Sequence, residues 1–210
     1  MKKILIPFTV IVAMLCSMGG MVYADDAKGL LMQTEMSEFV PGTVPAQSGR
    51  FDGMIPPLNA MVMSMLEQRL DYDESDDVFV WNSLHYMIGL YGQMDSRTEL
   101  DDKRMILPAE TVEDYAAALF TNYDGLPKLP GCMKDRVAYD AQNDSYSLVR
   151  GDAGLSEVVI RNISRMDNGA VAVSGVMAAL EDESALCGFT AILTANNSMF
   201  GYSITDLNIA

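Results

Sequence analysis

The feature that most constrains this fold is a change in hydrophobic period near residue 137. Upstream of it, apolar residues recur every three or four positions, the spacing of helix faces; downstream they alternate, the spacing of half-buried strands. Leu58, Met61, Val62, Met65 and Leu66 make one such stripe, predicting a helix over 56–70 that starts at Pro56-Pro57. An acidic run, 71–77, leads into a second helix over 77–91 that ends at Gly92, with Asp76 or Ser75 as its cap. This helix is apolar on most of its circumference, through Phe79, Val80, Trp81, Leu84, Met87 and Ile88, which marks a buried helix. Pro108 precedes a third, over 109–120, with Glu110, Glu113 and Asp114 near its positive end and Val112, Tyr115, Ala116 and Leu119 in a stripe.

From Val137 the pattern reads as three hairpins. Val137-Ala138-Tyr139 and 146–149 flank Gln142-Asn143-Asp144; 158–166 and 170–180 flank Asp167-Asn168-Gly169; 188–195 and 200–207 flank Asn196-Asn197-Ser198. In the last strand Phe200, Tyr202 and Ile204 alternate with smaller polar residues, so they are expected on one buried face. About three helices followed by five to six antiparallel strands predicts an α+β domain over 54–210, its helices packed on one face of a C-terminal meander. That element order resembles the cone-shaped fold of the nuclear-transport-factor-like families. The resemblance implies a curved sheet wrapping helices around a pocket; it is architectural, and no site residue transfers with it.

The N-terminus specifies an address. Lys2 and Lys3 precede an apolar stretch over 4–16, and Val22-Tyr23-Ala24 puts small residues at the cleavage-determining positions before Asp25-Asp26. This is the pattern of a cleaved secretory signal peptide over 1–24, too short for a permanent membrane anchor. The chain is therefore expected to be exported, to the periplasm or the extracellular medium. Residues 25–53, with Pro41-Gly42, Pro45 and Gly53, read as an extended arm or loop.

Removing the 24-residue leader and its two lysines from a 210-residue chain of net charge −15 leaves 186 residues at −17. Such a surface repels phosphate backbones and anionic membranes, so neither nucleic acid nor a stable membrane association is expected. Two cysteines remain, Cys132 and Cys187; in an exported protein such a pair usually forms a disulfide, with two free thiols as the alternative.

His85 is the single histidine, which excludes multi-histidine zinc sites within one chain and gives any histidine-dependent triad one candidate. Asn82, His85 and Gly89 share a stripe of the second helix, a polar strip with a glycine gap that could line a pocket; a histidine satisfied by a backbone carbonyl is the plainer account. Asp71, Asp73 and Ser75 match the first ligand positions of a calcium loop, but Asp76 and Asn82 stand where that loop needs Gly and Glu. Methionines crowd the first helix, yet Met63 is rotated about 200° from Met61, so they read as pliant core filler rather than as a copper site. Neither a phosphate-binding glycine loop nor a nucleophile elbow occurs, and no cofactor is expected. A pair of catalytic carboxylates is left open by so many acids.

The chain is thus read as an exported, non-catalytic binding or accessory protein whose partner is a small molecule or an envelope protein. The rivals are a small hydrolase or isomerase with an acid pair in a helix–sheet pocket, and a structural module pairing through an edge strand. Trp81, His85 and Tyr86 of the second helix and Tyr202 of the last strand are the candidate ligand contacts, because Trp and Tyr join apolar area to a polar handle.

Overall fold

The computed structural model describes residues 51–151 and 154–210, and the leader and all but the last three residues of the arm lie outside them. Three helices form where the stripes place them: α1, Ile55–Gln68; α2, Asp77–Tyr91; α3, Ala109–Leu119. The prolines occupy the first positions of α1, where an amide would lack a partner in any case. Its C-terminus is closed by Arg69 in the left-handed conformation (φ 54°). Asp76 caps α2, its Oδ1 accepting from the Val78 amide at 2.8 Å.

The acidic run is used for local structure. Asp73 accepts from the amide and hydroxyl of Ser75. Glu74 reaches the end of α3: Oε1 accepts from the Tyr72 hydroxyl and the Thr121 amide, Oε2 from the amide and side chain of Asn122. Burial and the adjoining Glu74 carboxylate push the Tyr72 phenol far above its ordinary range. Among the described residues, no group of three or more His, Cys, Asp and Glu side chains is gathered that could hold a metal.

Eight strands follow the α+β expectation, but they form two sheets rather than one meander of five or six. The first sheet, in the order β1-β2-β4-β3, contains Glu99–Leu100, Arg104–Pro108, Ser145–Val149 and Val137–Asp140. Its two leading strands lie between α2 and α3, so helices do not all precede strands. The second sheet is an antiparallel meander of β5 (Ser156–Arg165), β6 (Val171–Ala179), β7 (Ala185–Ala195) and β8 (Tyr202–Ile209). α1 packs on α2 and reaches β5 and β8; α2 touches β4; α3 touches β2, β4 and β8. The helical layer therefore contacts both sheets, unlike the arrangement expected, with one sheet on one side. A single curved sheet wrapped around helices is not what this chain builds.

Register explains the core of the second sheet. Val171–Leu193, Val173–Ala191, Gly175–Phe189 and Met177–Cys187 are cross-strand pairs, and their apolar members form one buried face. At Gly175 a Cβ would lie 2.1 Å from the Val159 carbonyl oxygen and 2.8 Å from the Phe189 ring, so the position has no room for a side chain. In β8 the pairing jumps from Asp206–Ile192 to Ile204–Leu193, bulging Thr205. The bulge breaks strict alternation, so that Ile204 and Leu207, three apart, are both buried; Tyr202 and Phe200, before the bulge, are only half-buried.

β8 closes against the helical half. Ile204 forms a parallel bridge with Phe120, its carbonyl oxygen lies 2.7 Å from the Tyr72 hydroxyl and shares that proton with Glu74, and the Thr121 and Ser203 hydroxyls are 2.9 Å apart. The other edge, β5, pairs only with β6 within its sheet.

The structure does not join the two cysteines. Cys132 is exposed on a short turn, Gly131–Met133, beside the first sheet; Cys187 is buried on β7 of the second. Both are free. Burial raises the Cys187 thiol.

Candidate functional site

A cleft of about 760 Å³ opens where α1 and α2 meet the starts of β5 and β7 and the end of β6. α1 contributes Met63 and Glu67; α2 contributes His85, Tyr86, Gly89 and Leu90. The facing wall carries Leu155 and Ser156 at the head of β5, Leu186 at the head of β7, and Glu181 in the turn after β6. Helical geometry selects the α1 pair: residues 63 and 67 are four apart and share a face, rotated away from Met61 and Met65, which are sealed in the core. On α2, positions 85, 86, 89 and 90 make the same three-and-four pattern.

Two glycines set the depth of the cleft. A Cβ on Gly151 would sit 3.3 Å from the carbonyl carbon and oxygen of Gly89, so backbone approaches backbone here. The glycine gap beside His85 is therefore filled by the chain leaving β4.

The polar groups have distinct surroundings. Tyr86 donates its hydroxyl to Glu67 Oε2 at 2.6 Å and accepts from Gln68 Nε2 at 3.2 Å. Burial, followed by the bond to Glu67, raises the phenol above its ordinary range, so it remains a donor. The His85 ring stands edge-on to Tyr86, with centroids 5.9 Å apart. Both ring nitrogens are closed off from solvent and have no hydrogen-bond partner among the described residues. Burial, reinforced by the positive Arg136 side chain, lowers its pKa to about 4, so the imidazole is neutral at pH 7. His85 borders the cleft with both ring nitrogens closed off, and the backbone carbonyl partner of the plainer account is not there.

Of the four candidate contacts, His85 and Tyr86 border the cleft. Trp81 does not: it is fully buried, donates Nε1 to the Pro127 carbonyl at 3.0 Å and packs on Tyr146 at 5.2 Å. Tyr202 lies against Phe51, 5.3 Å away, outside the cleft. Asn82, third member of the polar strip, holds Arg136 Nη1 at 3.3 Å and the Val78 carbonyl at 2.8 Å instead. Glu67, Leu155 and Leu186 carry no motif in the sequence that marks them for the site, and Met63 reads there only as core filler. For the two leucines, a large apolar residue at the head of each strand was the available signal.

Leu155 and Leu186 are 85% and 51% exposed, and neighbouring Leu180 is 59% exposed, giving the mouth an apolar rim. Among the described residues no helix is long and apolar enough to cross a membrane. No family model matches the chain, and neither a curated protein nor a solved structure shows significant similarity to it.

Proposed function

We propose that this chain is an exported, non-catalytic binding protein that takes a small, largely apolar molecule into the cleft between α1, α2 and the second sheet. One observation carries the reading: a cleft of about 760 Å³ whose exposed leucine rim leads to Met63, Leu90 and the ring of a neutral histidine. Ligand pockets commonly span roughly 300–1,000 Å³, with apolar walls and a few placed polar groups. The leader-like N-terminus supports export.

The rival hydrolase draws on a pair of carboxylates, and Glu67 and Glu181 both border the cleft. A general acid, however, needs a carboxyl kept protonated by an apolar enclosure. Both of these residues are exposed to water, which favours binding over catalysis.

The test is titration with N-phenyl-1-naphthylamine, a neutral probe that fluoresces in apolar surroundings. Saturable one-to-one binding that is lost in Leu186→Glu is the expected outcome. Absence of saturable binding by the wild type, or a Leu186→Glu variant that binds equally well, would remove the cleft from consideration.

A further inference from the structure

We propose that the molecule taken by this cleft is a cationic amphiphile, an alkyl chain ending in an ammonium group; this rests on the cleft being a binding site. Among the described residues, those bordering it include two carboxylates, Glu67 and Glu181, and neither a lysine nor an arginine. The apolar body of a ligand has Met63, Leu90, Leu155 and Leu186 to lie against, while the charged groups at the border itself are the carboxylates of Glu67 and Glu181 among the described residues. An ammonium group gains from that meeting and a carboxylate loses, in proportion to their proximity.

Glu67 is also prepared for such a partner. Tyr86 holds Oε2 from one side, which fixes the carboxylate and leaves Oε1 to accept from a ligand. Tyr86 borders the same space, and an aromatic ring close to a cation attracts it. Arg97 forms ion pairs with Asp95 and Asp114, none of which borders the cleft. Arg136, which is not among the bordering residues, gives Nη1 to Asn82 Oδ1 and acts on the wall only through its charge, on His85 and Tyr86. The net charge of the whole chain, −15, draws cations toward the mouth and repels anionic amphiphiles such as fatty acids.

The experiment displaces bound N-phenyl-1-naphthylamine with three ligands of equal chain length, each below its micelle concentration at pH 7: decylamine, 1-decanol and decanoate. Decylamine is expected to bind up to about fivefold tighter than decanol, the upper range for an exposed ion pair, and decanoate is expected to bind most weakly. The preference shrinks as sodium chloride rises, because the carboxylates stand in water. In the double variant Glu67→Gln, Glu181→Gln, amine and alcohol bind alike. If decanol or decanoate displaces the probe as well as decylamine does, the charge assignment is overturned and the binding cleft stands. If the double variant keeps the amine preference, the carboxylates are not its source and the assignment fails. If the probe does not bind at all, both readings fall together.

Discussion

The Tyr86 hydroxyl and Glu67 Oε2 are 2.6 Å apart, a bond between helices α2 and α1 made at the border of the cleft. Gln68 adds a second bond to the same hydroxyl at 3.2 Å. Tyr86→Phe removes both while keeping the ring. The expected loss is about 1 kcal/mol in urea unfolding, since the donor is half-buried and Glu67 can turn to water. An unchanged midpoint would show that the bond has no net effect on stability.

His85 makes stability depend on pH. Its folded value lies near 4, below the unfolded value of 6.5, so the unfolded chain takes up the proton first as pH falls. The contribution is full above about pH 6.5, is lost progressively toward pH 4, and is flat below. Between pH 7 and pH 5 the loss attributable to this residue is about 2 kcal/mol. Urea unfolding of wild type and His85→Gln across this range measures it. Parallel curves for the two proteins would exclude the effect.

The two thiols differ in accessibility. Cys132 is exposed and Cys187 is buried with a raised thiol pKa. Iodoacetamide applied without reductant to the native protein is expected to label Cys132 quickly and Cys187 only after denaturation. Mass spectrometry that finds neither thiol alkylated in denaturant would restore the disulfide.

Gly175 and Gly188 form an internal control on neighbouring strands. An added methyl at 175 meets the Val159 carbonyl at 2.1 Å, whereas at 188 the nearest atom, the Gly175 carbonyl oxygen, is 4.0 Å away. Gly175→Ala is expected to cost about 3 kcal/mol through displacement of β5, and Gly188→Ala under about 1 kcal/mol. Melting temperatures of the two variants decide the matter, and equal values would contradict the register given for β5 and β6.

The helices were legible because their ends carry chemistry as well as period. Asp76 caps and Gly92 ends α2, so its limits could be read directly. The three hairpins were legible from their turns. The β1–β2 pair was not: Glu99–Leu100 is too short to show alternation, and Arg104–Pro108 ends in a proline that reads equally well as the approach to a helix. The division into two sheets depends on β2 pairing with β4, across an intervening helix, and no local pattern encodes that. Within the site, His85 and Tyr86 could be found because polarity interrupts an apolar helix. Trp81 shares that helix, but a stripe does not distinguish a side chain lining a cleft from one sealed behind it. Glu67 was hidden for the opposite reason, since an acid near a helix end resembles an ordinary solvated residue.

The seam that joins Tyr72 and Thr121 to β8 has a kinetic meaning. β5 to β8 pair only with sequence neighbours within their sheet, so that sheet is assembled from local hairpins, which form on the order of microseconds. Tyr72 must wait for the Ile204 carbonyl, 132 positions later. Such remote closure is slow because the entropy of the intervening loop is lost before the contacts form. During synthesis the helices emerge long before their last partner strand, so docking of β8 is a late step in folding. A chain stopped short of residue 202 would leave the Phe120 bridge and the Tyr72 hydroxyl without their partner and would expose the outer side of β7 as a new sheet edge.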